Sequence, residues 1–420
     1  MEKNLIFHGS DVPALAEKYG TPLYVMSIDD IRQRCAEIRV SFTDKYENTV
    51  AAFACKAFQT LEMIRLIKEE GLSLDIVSGG ELYAALKAGF DPAHIGFHGN
   101  AKTPRELREA LDAGVGTIIV DNFSELELLN RLALERGICQ GILLRVTPGV
   151  DSHTHLYIAT GNLDSKFGFS VPEIKKTVFE QVREMKGVDL KGFHYHVGSQ
   201  LTENNSHIMA TGIMLDLLAN LKVRFGYVPR ELNCGGGFGI RYADYPERSA
   251  VSTFMDPVMD MINSFYRESG DPRPTVIIEP GRWIVGEAGI TVYEVSSVKT
   301  NAAGRHYAGV NGGLSDNPRT ALYDAKYEVA AADKMDQPWD TLTTIAGKCC
   351  ESGDIIAYDV MLPKMEIGDL LAVYSTGAYN YSMAGNYNRL PRPAVVMIEN
   401  GEDHLSVRRE TYEDMIEREL

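Results

Sequence analysis

Residues 49–71, "TVAAFACKAFQTLEMIRLIKEEG", combine two patterns of hydrophobic spacing. The first part, "TVAAFAC" (49–55), is a short apolar run that is typical of a buried strand. The second part, "TLEMIRLIKEEG" (60–71), places apolar residues three and four positions apart and ends on glycine, which predicts a helix. The stretch therefore predicts one strand-then-helix unit, with Lys56 at the end of its strand.

The same unit occurs eight times between about residue 45 and residue 285. The predicted strands are "TVAAFAC" (49–55), "LSLDIVS" (72–78), "HIGFHG" (94–99), "TIIVD" (117–121), "GILLRVT" (141–147), "LKGFHYHV" (190–197), "RELNC" (230–234) and "TVIIE" (275–279). Eight units are the number that closes a parallel barrel. An open, doubly wound sheet shows the same alternation and is the structural alternative. We predict an α/β fold, an eight-stranded parallel β/α (TIM-like) barrel, over residues 28–285.

Beyond residue 288 the chain contains short predicted strands with little helix between them. They are "ITVYEVSSV", "HYAGV", "TTIAG", "DIIAYDV", "DLLAVYS", "AVVMIE" and "HLSVRR". This spacing predicts a C-terminal β-sandwich or β-barrel domain over residues 286–420. The pattern does not decide whether "TPLYVMS" (21–27) pairs with these strands, and we assign residues 1–27 to this domain.

The composition limits the classes of partner. The 42 basic and 58 acidic residues give a net charge of −16, which disfavours nucleic acid and anionic membranes as partners. No apolar run approaches the roughly 20 residues that span a bilayer, and the N-terminal segment lacks the apolar core of a signal peptide. The six cysteines include no CxxC pair. We expect a cytoplasmic protein with reduced thiols.

Functional groups in such a barrel collect where the strands end. The eight ends carry Lys56, "SGGE" (78–81), "HGN" (98–100), Asp121, Arg145, "HVGS" (196–199), "CGGGFG" (234–239) and "EPGR" (279–282). The glycine triplet would let backbone N–H groups approach an anion at the start of the following helix, although a tight turn is the simpler explanation. Together with Arg282, these glycines would hold one phosphate.

Lys56 and Glu279 suit a ligand that reacts with a protein amine at one end and pairs with a protein carboxylate at the other. Pyridoxal phosphate is such a ligand, because its aldehyde condenses with a lysine amine and its ring nitrogen is stabilised in the protonated form by a carboxylate. We expect Lys56 to be buried, since burial favours the neutral, nucleophilic amine. The simpler expectation is that the strand ends there and the amine reaches water. His196 would stack on the ring, unless it is a structural histidine. A carboxylate at position 279 favours a decarboxylase over a racemase.

Many segments resemble one class of enzymes nearly from end to end. They are "KAF" (56–58), "LDIVSGGELYAALKAGF" (74–90), "FHGN" (97–100), "HTHLYIATG" (153–161), "DSKFGF" (164–169), "HVGSQ" (196–200), "GGGFGIRY" (235–242), "EPGR" (279–282), "RTALYDAKYE" (319–328), "CCESGD" (349–354), "TGAYNYSM" (376–383) and "NYNRLPRP" (386–393). The chain resembles the alanine-racemase-like (fold-type III) pyridoxal-phosphate enzymes and, among them, the diaminopimelate decarboxylases. The resemblance implies the same two-domain fold and the conversion of meso-2,6-diaminopimelate to L-lysine and CO₂, the last step of lysine biosynthesis.

The resemblance also implies roles for individual residues. Lys56 would carry the cofactor as a Schiff base, and Cys350 would donate the proton that replaces CO₂. The implied cofactor contacts are Lys56, His196, Ser199, Gly235, Gly236, Gly237, Glu279, Pro280, Gly281, Arg282 and Tyr379. The implied substrate contacts are Arg282, Arg319, Tyr323 and Tyr379 at a carboxylate, and Glu351 at the distal ammonium. In this family the residues matching Cys350 and Glu351 reach the neighbouring subunit's site, which implies a homodimer with shared active sites.

Several alternatives stay open at this point. Asn311 and Thr320 replace the aspartate and proline that are usual in the family, next to the segment that would bind the substrate carboxylate. "HTH" (153–155) could suggest metal ligands, but no further ligand cluster accompanies it, and we assign no metal. The competing functions are decarboxylation of ornithine, arginine or lysine, amino-acid racemisation, and a non-catalytic protein that only binds the cofactor.

Overall fold

The computed structural model describes residues 3–150 and 165–420. The chain divides into two compact units. The barrel unit comprises Cys35–Gly239 and Arg248–Gly281, and the β unit comprises Met1–Arg34, Ile240–Glu247 and Arg282–Leu420. Within the described residues, no helix has both the length and the apolar composition that crossing a membrane requires.

Eight parallel strands form a closed sheet in the barrel unit. They are Thr49–Ala54, Ser73–Ile76, Ile95–Phe97, Thr117–Val120, Gln140–Thr147, Val188–His194, Glu231–Asn233 and Thr275–Ile278. Each pairs with the next, and the last pairs with the first, with Ile278 opposite Ala51. The prediction of a closed parallel barrel is therefore confirmed, and the open doubly wound sheet is wrong.

Helices alternate with these strands. They are Leu61–Glu69, Gly79–Lys87, Pro104–Ala113, Phe123–Glu135, Val171–Glu173, Phe179–Val182, Asn205–Phe225 and Val251–Ser269, with 3₁₀ turns at Cys55–Ala57 and Pro92–His94 and π turns at Arg39–Thr43 and Ile174–Val178. Side-chain caps mark several starts. The Thr60 hydroxyl accepts from the backbone N–H of Met63 at 3.0 Å, and Thr103 and Glu106 form a capping box.

Gly192 marks a close approach between two barrel strands. A Cβ added there would overlap the carbonyl group of Glu231 on the adjacent strand. We therefore expect Gly192→Ala to lower the free energy of unfolding by about 3 kcal/mol, because backbone cannot move aside as a flexible side chain can. Gly212 is the matched control, since it lies in the helix Asn205–Phe225 and its added Cβ would meet only the end of Met261 at 3.7 Å. Gly212→Ala should raise the stability by about 0.5–1 kcal/mol. Urea unfolding measures both changes, and an unchanged Gly192→Ala would contradict the packing described.

The β unit is rich in sheet, as predicted. Its strands are Ile6–Phe7, Ser10–Asp11, Leu23–Ser27, Gly289–Thr300, His306–Val310, Val329–Ala331, Thr341–Ala346, Ile355–Leu362, Leu370–Val373, Ala394–Glu399 and Glu402–Val407. Its helices are Val12–Tyr19, Ile28–Ile38 (which continues into the barrel unit), Arg282–Val285, Arg319–Tyr323, Asn380–Met383 and Tyr412–Ile416, with a 3₁₀ turn at Tyr387–Arg389. Leu23–Ser27 lies inside the sheet, antiparallel to Gly289–Thr300 and parallel to Ala394–Glu399.

Candidate active site

Glu279 is the centre of a buried hydrogen-bond network at the strand ends of the barrel unit. Its carboxylate lies 2.9 Å from His98 Nε2, 3.2 Å from His194 Nε2 and 2.6 Å from Asn233 Nδ2. All four side chains are buried. An ionised carboxylate can only accept, so the facing nitrogen of each histidine carries a hydrogen. Three donors thus converge on one carboxylate.

The electrostatics of this network favour an ionised Glu279. Burial works against the charge, but His98 and then His194 outweigh it, and the pKa of Glu279 lies well below its usual range. Burial lowers the pKa of His194 to about 4, although Glu279 opposes that shift. His194 is therefore neutral near pH 7, which agrees with an Nδ1 that has no hydrogen-bond partner among the described residues.

Asp75 adds a second carboxylate to the network. Its Oδ1 lies 3.6 Å from His98 Nε2, beyond hydrogen-bond distance, and has no hydrogen-bond partner in the described part of the chain. Burial raises the pKa of Asp75 to about 6, with the charge of His98 opposing this shift.

The facing atoms of His98, His194 and Glu279 lie within 4.8 Å of one another, a spacing that would also suit a metal ion. The segment "HTH" (153–155) lies outside the described residues.

Lys56 follows the strand Thr49–Ala54, next to the strand that ends before Glu279. The expectation of a buried amine is wrong, because the Lys56 side chain is exposed. The reason is local. The chain leaves the strand in the 3₁₀ turn Cys55–Ala57, which buries the two flanking residues and turns the lysine outward. The amine is therefore accessible to a ligand.

The glycine triplet forms a turn that admits no side chain. Gly235 and Gly237 have φ values of 71° and 95°, and an added Cβ on Gly236 would overlap the backbone of Glu279. The N–H of Gly236 donates to His196 Nδ1 at 3.2 Å. The triplet does not begin a helix, contrary to expectation, since these left-handed residues do not continue as one and the next helix is Val251–Ser269.

The other predicted cofactor contacts of the barrel unit follow the ends of the strands Val188–His194 and Thr275–Ile278. The pKa of His196 lies well below its usual range. The main cause is burial of the ring, and the positive charges of Lys56 and Arg145 add to it. Ser199 is half-buried, and Pro280 and Gly281 are buried directly after Glu279. A Cβ on Gly281 would lie 2.9 Å from that of Ala54, so glycine is required where strand ends meet.

Two buried arginines share tyrosine neighbours in the β unit. Arg282 and Arg319 are 6% and 7% exposed. The Tyr379 ring centroid lies 4.7 Å from the Arg282 guanidinium and 5.1 Å from that of Arg319, and Tyr323 lies 5.2 Å from Arg319. Tyr379 adopts φ 70°, which is uncommon for tyrosine. Arg282 Nη1 also donates to the Tyr242 hydroxyl at 2.8 Å.

Arg319 donates through Nε to the Tyr327 hydroxyl at 3.1 Å. Burial raises the pKa of Tyr327 to about 12, with Arg319 opposing. Within the described residues no carboxylate forms an ion pair with Arg319. A nearly buried guanidinium without a carboxylate is costly, and an anionic ligand would compensate it.

Cys350 and Glu351 lie on an exposed loop of the β unit. The loop is anchored by the buried Asp354, which accepts from the N–H groups of Leu314 and Cys349 at 2.7 Å each. The N–H of Cys350 donates to Asn388 Oδ1 at 2.7 Å. Cys349 is buried, whereas the neighbouring Cys350 is exposed.

The two residues that depart from the family pattern have structural partners. Asn311 donates to the Thr21 hydroxyl at 2.7 Å and accepts from the N–H of Glu294 at 3.1 Å. The Thr320 hydroxyl donates to the carbonyl of Ile356 at 3.1 Å. Both substitutions are thus accommodated by contacts that do not involve Arg319.

The sequence and the fold are similar to those of known proteins. The family model described as pyridoxal-dependent decarboxylase, pyridoxal binding domain, matches residues 28–286. The chain is 48% identical over 413 residues to diaminopimelate decarboxylase of Bacillus subtilis, covering 98% of this chain and 94% of that protein.

Solved structures give the same result. Diaminopimelate decarboxylase from M. jannaschii in complex with L-lysine has a TM-score of 0.93 at 34% identity and covers 100% of this chain and 96% of that chain. The Helicobacter pylori enzyme, complexed with L-lysine, has a TM-score of 0.89 at 29% identity, covering 97% and 98%.

Proposed function

The chain belongs to the family of pyridoxal-dependent decarboxylases, and from this premise we propose that it removes CO₂ from meso-2,6-diaminopimelate to give L-lysine. The observation that carries this proposal is the ionised Glu279 at the strand end next to that of Lys56. When bound, pyridoxal 5'-phosphate supplies an electron sink for the carbanion that remains after CO₂ leaves. A permanent negative charge at position 279 would stabilise the protonated ring nitrogen, on which this electron sink depends.

The predicted contact residues fit the cofactor chemically. Lys56 offers an accessible amine for the aldehyde. Glu279, held by His98, His194 and Asn233, would keep the ring nitrogen protonated. The Gly235–Gly237 turn, which a Cβ would obstruct, offers close backbone approach to the phosphate. We propose that Ser199, Pro280, Gly281, Arg282 and Tyr379 complete the cofactor contacts and that His196 stacks on the ring.

Arg319 is proposed to bind a carboxylate of the substrate, with Tyr323, Tyr379 and Arg282 beside it. Its burial without a carboxylate partner supports this role. We expect Arg319→Met to lower kcat/KM about 10²–10³-fold, chiefly through KM, because a charge-assisted bond to the substrate is lost. Arg305→Met is the matched control, since Arg305 makes an exposed ion pair with Asp359 at 3.3 Å in the same unit. Steady-state kinetics distinguish the two, and an equal loss in both variants would contradict the assignment.

An assay of a small panel of amino acids tests the reaction. The purified protein with added pyridoxal phosphate should release CO₂ from meso-diaminopimelate and not from L-lysine, L-ornithine or L-arginine. Release from ornithine or arginine instead would make it a decarboxylase of another basic amino acid. Interconversion of D- and L-forms without CO₂ would make it a racemase, and no reaction at all would leave only cofactor binding.

A homodimer with shared active sites is proposed from the exposed loop that carries Cys350 and Glu351. Cys350 would donate the proton that replaces CO₂, and Glu351 would bind the distal ammonium of the substrate. We expect a mixture of the inactive variants Lys56→Ala and Cys350→Ala to regain about a quarter of the activity, because half of randomly mixed dimers contain one complete site. A mixture as inactive as its components would contradict the sharing of active sites between subunits.

We also propose a cytoplasmic location, which the exposed free thiols of Cys139 and Cys350 support.

A further inference from the structure

The interior of the barrel contains a cavity of about 190 Å³. At the ends of the strands its wall includes Asp75, His98, Asn233 and Glu279, the network described above. At the starts of the strands its wall includes Ser73, Thr117, Lys191, Glu231 and Thr275. Thr275 begins one strand and Glu279 directly follows its end, four residues later, which is about 13 Å at the usual rise of a strand. The cavity therefore runs along the barrel axis from one end towards the other.

The cavity is lined by both apolar and polar residues. Such interiors are normally filled by layers of branched apolar side chains. Here the wall includes branched residues such as Ile119 and Leu143, but also Ala52 and Gly96, which are too small to fill the space, and hydroxyl, amide and charged groups on several strands. Buried polar groups are costly unless they have hydrogen-bond partners, and a cavity of this size has room for several water molecules.

Both ends of the cavity offer groups that can exchange protons. At the strand starts, Lys191 Nζ lies 3.2 Å from Glu231 Oε1, and the two side chains are 24% and 20% exposed, so this end reaches solvent. Lys191 Nζ also donates to the Thr117 hydroxyl at 2.9 Å. At the inner end, Asp75 is 5% exposed and its Oδ1 lacks a partner among the described residues. Burial raises the pKa of Asp75 to about 6, so this carboxyl exchanges its proton near neutral pH.

We propose that this cavity holds a chain of water molecules that carries protons between the Lys191–Glu231 pair at the strand starts and the Asp75–His98–Glu279 network at the strand ends. Protons would move along hydrogen bonds, with no group oxidised or reduced. The network could then exchange protons with bulk water from the face of the barrel opposite the strand ends. The existence of the path does not depend on the proposed decarboxylation, although its use during turnover does.

Hydrogen exchange of the buried histidines tests the path directly. The Nε2 hydrogens of His98 and His194 face Glu279, and their NMR signals can be followed in the holoenzyme after transfer to D₂O. Ala52→Leu adds three carbons inside the cavity and should slow the exchange about tenfold or more, since buried groups exchange only when solvent reaches them. Thr117→Val keeps the side-chain volume, removes one hydroxyl of the wall, and should slow exchange as well. Lys222→Met, which breaks a surface pair with Asp271 in the same unit, is the control and should leave the rate unchanged.

A crystal structure of the holoenzyme provides the second measurement. We expect ordered waters from Lys191 to Asp75 at successive separations of about 2.7–3.2 Å. Xenon density in the cavity of a pressurised crystal would indicate a dry, apolar space and would overturn the proposal. Histidine exchange as fast in both cavity variants as in the parent protein would overturn it too. These readouts do not involve CO₂ release, so they stand apart from the panel assay of the proposed function.

Discussion

Replacing Lys56 by alanine should reduce kcat for CO₂ release at least about 10³-fold, because the amine that would attach the cofactor is the reacting nucleophile. The variant should also lose the cofactor on gel filtration, where the parent protein keeps it. Lys56 is exposed, so its removal should leave folding intact, and circular dichroism and thermal unfolding should match the parent.

Lys45→Ala is the matched control for this experiment. Lys45 is a lysine of the barrel unit whose Nζ lies 2.7 Å from Asp256 at the surface. Exposed ion pairs contribute about 0–1 kcal/mol, so this variant should keep both its cofactor and its kcat. Turnover by Lys56→Ala within tenfold of the parent would show that the amine is not the attachment point, and the proposed mechanism would be wrong.

The barrel was predictable because its signals are local. Each strand is a short apolar run and each helix has regular apolar spacing, so the predicted strand at 117–121 corresponds to Thr117–Val120 and that at 275–279 to Thr275–Ile278. The family of pyridoxal-dependent decarboxylases was also anticipated from motifs, and the comparisons confirm it. The reaction itself is a proposal that the panel of amino acids tests. Roles of the individual site residues remain predictions that the variants test.

The network around Glu279 was not predicted. His98, His194 and Asn233 come from three other strands, and which strands become neighbours depends on barrel closure rather than on local sequence. A signal was nevertheless present, since polar residues occur among the apolar ones at the predicted strands "HIGFHG", "LKGFHYHV" and "RELNC". In a barrel such residues are expected to face the interior, where they need partners. The same reasoning does not reach Tyr242 and Tyr327, which bind the two buried arginines but lie in loops of the β unit.

Replacing Glu279 by glutamine tests the electrostatic part of the mechanism. The amide keeps the size of the side chain and removes its negative charge, so the protonated ring would lose its stabilising partner. We expect kcat to fall about 10²–10³-fold, which is the usual range for removing one electrostatic contact from a reacting centre. In the parent protein, burial raises the pKa of Glu279, but His98 and His194 lower it by more, and it lies well below its usual range. The carboxylate therefore keeps its negative charge between pH 6 and 9. The loss should therefore be equally large across that interval.

Glu125→Gln shows whether removal of any buried acid has the same effect. Glu125 lies in the same unit, where its Oε1 is 2.8 Å from Lys102 Nζ and both side chains are nearly inaccessible. Breaking a buried pair costs about 3–5 kcal/mol of stability, so Glu125→Gln should unfold more easily. Its kcat should stay near that of the parent, because Glu125 pairs with a lysine and does not belong to the network around Glu279. Measuring kcat and unfolding in both variants separates the two effects. Full turnover in Glu279→Gln would show that a charge at this position is not required and would restore the racemase as a competitor.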